Sequence, residues 1–131
     1  MTSASTDTRD LPTLRIKAIN SASQSAGSIH DDAKAQEMGY RGGLVPGVTI
    51  MGYMSRIMTE NFPSGWRRDG TFHGLLRRPV YEGDEVTVEG SASSPDVEGR
   101  LSVEIRVIDP DGNVCARANA TCRAPGAEAE A

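Results

Sequence analysis

His30 is followed directly by Asp31 and Asp32, and Pro46-Gly47 opens an apolar run seventeen residues further on. A neutral imidazole can act as a general base, or as an acid after taking a proton. A glycine N–H at the start of a helix can hold an oxygen on which negative charge is building. Together these would be an acid–base group and an oxyanion donor, if the fold brings them to one site. Residue type alone also has plainer readings. His30 reads as a surface histidine near a helix cap, Gly47 as a tight turn, and the two aspartates as helix-start charges, either of which can orient His30. His73 reads as a partly exposed strand residue, Glu60 as a solvated or dimer-facing charge, and Arg77-Arg78 as a solvated pair able to meet a phosphate.

Other chemistries are missing from the sequence. It has no Ser-His-Asp order, phosphate loop or zinc motif. Only two histidines are present and no cysteine lies near either, so no metal-ligand set is expected. Cys115 and Cys122 have no basic or helix-start neighbour to make a nucleophile. Seven residues apart in one strand, they have opposite parity, which argues against a disulfide between them.

The elements that must position these groups follow from periodicity. Leu14–Ile19 alternates as a short strand, followed by a Ser/Ala/Asn loop. Ser28, with an acid three residues on, suggests the start of a short helix that places His30 in its first turn and ends at Gly39. A helix start disfavours added positive charge, which favours a neutral imidazole there. Pro46 suits a first helical position. Ile50, Met51, Met54, Ile57 and Met58 then form one apolar stripe on a long helix ending near Asn61, with Pro63 beyond it. Strands are expected at Thr71–Leu76, Glu85–Ser93, around Leu101–Val107, and from Val114 to Cys122. An Asp109-Pro110-Asp111-Gly112 turn joins the last two. The small residues of the final strand (Ala116, Ala118, Ala120) let a helix approach closely. The expected plan is α+β: one long helix wrapped by an antiparallel sheet.

The chain has 131 residues, which fits a single domain. Residues 1–11 and 124–131 read as disordered tails around a domain at 12–123. With 14 basic against 18 acidic residues and 5% aromatics, nothing suggests a nucleic-acid surface. No apolar run is long enough to span a bilayer. Met1–Asp10 lacks the apolar stretch of a secretory signal, so a cytoplasmic protein is expected.

The order of parts, Ile29-His30-Asp31-Asp32, then Pro46-Gly47 opening the long helix, then Pro79-Val80-Tyr81-Glu82-Gly83-Asp84-Glu85-Val86, resembles the MaoC-like hydratase/dehydratase branch of the hotdog superfamily. The resemblance covers roughly residues 14–123. It implies a hotdog fold, a homodimer with its site at the subunit boundary, no cofactor, and an acyl thioester of coenzyme A or an acyl carrier protein as substrate. By position it makes His30 the catalytic histidine and Gly47 the oxyanion donor. Tyr40, Val45, Pro46, Tyr53, His73 and Arg78 become substrate-binding candidates. If the thioester reading is right, Arg41, Arg77 or Arg78 should stand at the mouth of a tunnel leading to His30.

One departure matters. The branch's motif, Asp-x-Asn-Pro-Ile/Leu-His, has a carboxylate five residues before the histidine, and here that position is Ser25. Losing one acid–base group typically costs about 10²- to 10⁴-fold in rate. Either another group such as Asp31 substitutes, or His30 works alone, or the reaction has changed. The alternatives are therefore an enzyme acting on a free metabolite by cyclisation, isomerisation or dehydration, and a non-catalytic protein that binds an acyl ligand.

Overall fold

The structure, a computed structural model, describes residues 7–126. In chain order its elements are β1 (Thr8–Asp10), β2 (Leu14–Lys17), α1 (Asp32–Glu37), α2 (Gly47–Asn61), α3 (Pro63–Asp69), β3 (Thr71–Leu76), β4 (Glu85–Ser93), β5 (Arg100–Ile108) and β6 (Val114–Arg123). The antiparallel sheet runs β1-β4-β5-β6-β3, and β2 shares the β4 edge with β1.

The sheet wraps α2. Ile50, Met54, Ile57 and Met58 are buried on the helix, against Val86, Val88, Val103, Ile105 and Val107 of β4 and β5. Fully burying each such side chain contributes roughly 1.5–3 kcal/mol. The helix sits close because the strands give it room. Ala116, Ala118 and Ala120 face it from β6. A methyl added to Gly90 would lie 2.9 Å from Ile57 Cγ2, and one added to Gly74 would collide with Met51. Cys115 and Cys122 are both buried and form no disulfide with each other. A register irregularity between Val107 and Ile108 leaves Cys115 as the unpaired residue of β6 there.

Four expectations need correction. Residues 8–11 are not tail: β1 pairs with β4, and Leu11 is buried with its N–H donating to the Gly90 carbonyl at 2.9 Å. Exposed Thr-Arg-Asp carries no apolar signal of its own, so ladder bonds, the buried Leu11 and the Arg9 guanidinium over the Phe62 ring hold that strand. Ala124 is likewise buried, its N–H on the Gly99 carbonyl at 2.8 Å. Residues 1–6 and 127–131 of the expected tails lie outside the described residues. Pro63 does not merely stop a helix, since it opens α3 from its first turn. Finally, α1 is capped by Asp31, not Ser28, so His30 precedes the helix.

Candidate active site

The site is built where two loops are stitched to the edge of the sheet. Ala18 continues β2, donating to the Asp84 carbonyl at 2.7 Å and accepting from Gly83 N–H at 2.8 Å. Two residues on, Asn20 is the one buried polar side chain among the described residues. Its N–H donates to Glu82 Oε1 at 2.6 Å, its side-chain amide donates to the His30 carbonyl at 2.8 Å, and its Oδ1 accepts from Ala22 N–H at 3.1 Å. The second loop lies alongside. Gly43 N–H donates to Asp32 Oδ1 at 2.7 Å, Leu44 N–H to the Ile29 carbonyl at 2.9 Å, and Val45 N–H to the Val80 carbonyl at 2.8 Å.

These bonds bring the His30 ring to Leu44, whose carbonyl lies 2.8 Å from Nδ1. A carbonyl oxygen only accepts, so Nδ1 carries the proton. In the neutral imidazole Nε2 then holds a lone pair, the form a general base requires. The reason differs from the expected one. His30 is not in a helical first turn, and what governs its tautomer is a backbone carbonyl. Neither neighbouring carboxylate orients the ring: Asp31 Oδ2 accepts from Lys34 N–H at 3.2 Å as the α1 cap, and Asp32 holds Gly43.

Gly47 begins α2 three residues past Leu44, a stretch of chain that spans at most about 10 Å. Pro46, the cap residue, offers no side-chain acceptor. Its carbonyl takes the N–H groups of Thr49 and Ile50 at 3.0 and 3.2 Å. The N–H groups of Gly47 and Val48 precede the helical ladder and have no intrahelical acceptor. The helix dipole adds partial positive charge at the same end. Leu76 covers the Gly47 Cα, while Val48 is 78% exposed beside it.

The remaining candidates divide. Ser25 is exposed in a turn, its carbonyl accepting from Ser28 Oγ at 2.8 Å. Pro46 flanks Gly47. Tyr53 reaches the same end of the molecule, its hydroxyl accepting from Ile19 N–H at 3.3 Å. Tyr40 is partly exposed after α1, its N–H on the Ala35 carbonyl. Val45 is a core residue, 5% exposed. His73 pairs with exposed Asn119, whereas Gly74, next to it, pairs with buried Ala118 and faces Met51 of α2. Strand alternation therefore puts His73 on the sheet face away from α2, and it does not belong to this site.

Arg78 lines a separate cavity of about 350 Å³ with Arg41, Tyr81, Asp84 and Asp109. There Arg41 pairs with Asp84 at 3.1 Å and stacks on Tyr81. Larger cavities, of about 530 and 650 Å³, lie along β4–β6 and at the β4–β5 hairpin. Neither His30 nor Gly47 lines any of the three, so no tunnel from Arg41 or Arg78 to His30 is among them. The Glu60 carboxylate pairs with Arg56 on α2. Burial, reinforced by the nearby Asp109 carboxylate, pushes the Cys115 thiol up to about 11, which leaves it protonated and inert. Sequence reading missed Asn20, Glu82 and the Leu44 carbonyl. Asn20 looked like one polar residue in a polar loop, and a backbone carbonyl has no side-chain signature.

The sequence matches no family profile and no curated protein. Solved structures do match. A chain of the ChsH1-ChsH2 complex from Mycobacterium tuberculosis is 21% identical, with TM-score 0.72 over 88% of this chain and 95% of that one. The (R)-hydratase of A. caviae involved in PHA biosynthesis is 18% identical, with TM-score 0.73 over 89% and 95%. A MaoC-like dehydratase from Rhodospirillum rubrum is 18% identical, with TM-score 0.66 over 91% and 92%. A more distant match, smu.793 from Streptococcus mutans, was solved bound to acetyl CoA (14% identity, TM-score 0.56, 85% and 77%). The architecture is therefore the hotdog fold, in the form seen in MaoC-like dehydratases and R-hydratases.

Proposed function

We propose that the chain is a hydratase or dehydratase of 2-enoyl and 3-hydroxyacyl thioesters, with His30 as its acid–base group and the Gly47 N–H as oxyanion donor. The observation that carries the reading is the Nδ1–H bond from His30 to the Leu44 carbonyl, which leaves Nε2 as proton acceptor near an uncapped helix start. In the hydration direction, Nε2 takes a proton from water as the water oxygen bonds to C3. The C2–C3 π electrons move to form an enolate, and its negative charge rests on the thioester oxygen facing Gly47 N–H. The imidazolium then returns the proton to C2. One base both removes and delivers the proton, so the carboxylate replaced by Ser25 is not required for balance. The fold's occurrence in hydratases and in a coenzyme A-bound protein supports the thioester class.

A homodimer fits the same reading. Among the described residues β3 is hydrogen-bonded to β6 alone, so its other edge is open. Leu75, Leu76 and Val48 are exposed at that edge and at the adjoining helix start. Pairing two β3 edges would cover this apolar surface and wall the site. Among the described residues no helix is long and apolar enough to cross a membrane, and a cytoplasmic location remains part of the proposal. Ser25 in place of a carboxylate favours a second reading, an enzyme that acts on a free metabolite. The deciding experiment assays crotonyl-coenzyme A and longer enoyl thioesters with wild type and His30→Ala. Turnover lost in the variant supports the thioester reading, and no turnover on any thioester transfers the weight to the second.

A further inference from the structure

Having no helix or strand of its own, His30 depends on a few bonds for its place. Its N–H bond to Ser28 Oγ at 3.2 Å is internal to the same turn. Two links tie the backbone of that turn to the sheet edge: the Leu44 N–H on the Ile29 carbonyl, one residue before the histidine, and Asn20, which alone of the two holds residue 30 itself. The buried amide of Asn20 grips the His30 carbonyl, and its own backbone is held by the Glu82 carboxylate beside the Ala18–Asp84 anchor. A second observation points to the same bond. Gly43 is buried, and a methyl added there would collide with the His30 carbonyl oxygen while lying 2.9 Å from Asn20 Nδ2. The glycine leaves open the space in which Asn20 meets His30.

We propose that Asn20 is the positioning residue for His30, fixing the backbone of residue 30 so that Nδ1 reaches the Leu44 carbonyl and Nε2 is left free to act. Its catalytic meaning rests on the reading of His30 as the base. Its structural content does not.

The test is the ¹⁵N spectrum of the two histidines in the intact protein, with His73 as internal reference because it lies on the opposite sheet face. In wild type, neutral His30 should show a protonated Nδ1 and an unprotonated Nε2. Asn20→Asp keeps the shape and the acceptor for Ala22 N–H but removes the donor to His30. Asn20→Leu keeps a similar volume and removes the donor without adding a charge, so loss of folding in one variant leaves the other as the test. Both should shift His30 toward the Nε2–H tautomer and leave His73 unchanged. Glu82→Gln, which keeps an acceptor for Asn20 N–H, should retain the wild-type signals. Where turnover is measurable, Asn20→Asp should lower kcat with KM nearly unchanged, by about 100-fold if the ring moves by about 1 Å. A lowered Tm with the His30 signals unchanged overturns the proposal, because that is the mark of a merely structural residue. Wild-type signals as expected but no thioester turnover would count against the proposed reaction and leave Asn20 in its role.

Discussion

Leu76, at the end of β3, lies over the Cα of Gly47, so a methyl group added to the glycine would overlap Leu76 Cδ1. The obstacle is the tip of a flexible side chain that is 47% exposed, so Leu76 can turn away. Gly47→Ala should therefore fold with a small loss of Tm, and Leu76→Ala in the same background should restore it. A double-mutant cycle by thermal melting measures this coupling. Strict additivity of the two changes would show that the contact has no energetic weight.

Leu76 lies against Gly47, so a thioester held by the Gly47 N–H, as proposed, would bring its acyl group within reach of Leu76. Leu76→Ala should raise kcat/KM for longer enoyl thioesters relative to crotonyl-coenzyme A. A chain-length series on both proteins checks it, and an unchanged ratio would remove Leu76 from the acyl site.

The core makes a stability prediction independent of function. Met54 is wholly buried where α2 meets the sheet. Met54→Ala removes most of a side chain from a rigid surround and should cost about 2–5 kcal/mol. Urea titration gives the value. A loss below about 1 kcal/mol would mean that the neighbouring side chains close the gap, contrary to close packing there.

Cys115 sets an alkaline limit. Burial, with help from Asp109, raises its thiol from the ordinary 9.0 to about 11. Between those values the folded chain keeps a proton that the unfolded chain has lost. The stabilisation is complete below about pH 9 and disappears as pH rises toward 11. Cys115→Ala should flatten the stability–pH curve across that window, read by denaturant melts at several pH values. A thiol reagent at neutral pH should label Cys115 only under unfolding conditions.

Much of this architecture was legible in the residues. The alternation of Leu101, Val103, Ile105 and Val107 marks β5, and the stripe from Ile50 to Met58 marks α2, because each buries a single face against a single partner. The strands at Thr71–Leu76 and Glu85–Ser93 fall at their expected bounds. What stayed hidden depends on contacts distant in sequence. β1 is held by β4 and Leu11 without an apolar pattern, and Pro63 both ends one helix and starts the next. His30 and Gly47 stood out as types. The bond that fixes the tautomer of His30 did not, since its acceptor is a main-chain oxygen and its support is an asparagine in an ordinary-looking loop. His73 was a candidate on type alone, and only its pairing with Asn119 puts it on the far face of the sheet.

The central claim, that the Gly47 amide hydrogen holds the carbonyl oxygen of the thioester on which His30 moves the proton, is tested most directly by Gly47→Pro. Proline is accepted at the first position of a helix, and Pro46, at φ −57° and ψ 142°, already has the backbone that must precede one. The substitution therefore deletes the N–H and keeps α2, with Leu76→Ala added to relieve crowding. The measurement is kcat for crotonyl-coenzyme A hydration, compared with the Leu76→Ala, Gly47→Ala double variant that retains the amide. The account predicts a fall of about 10²- to 10³-fold with an unchanged melting temperature. Equal rates in the two proteins would contradict it.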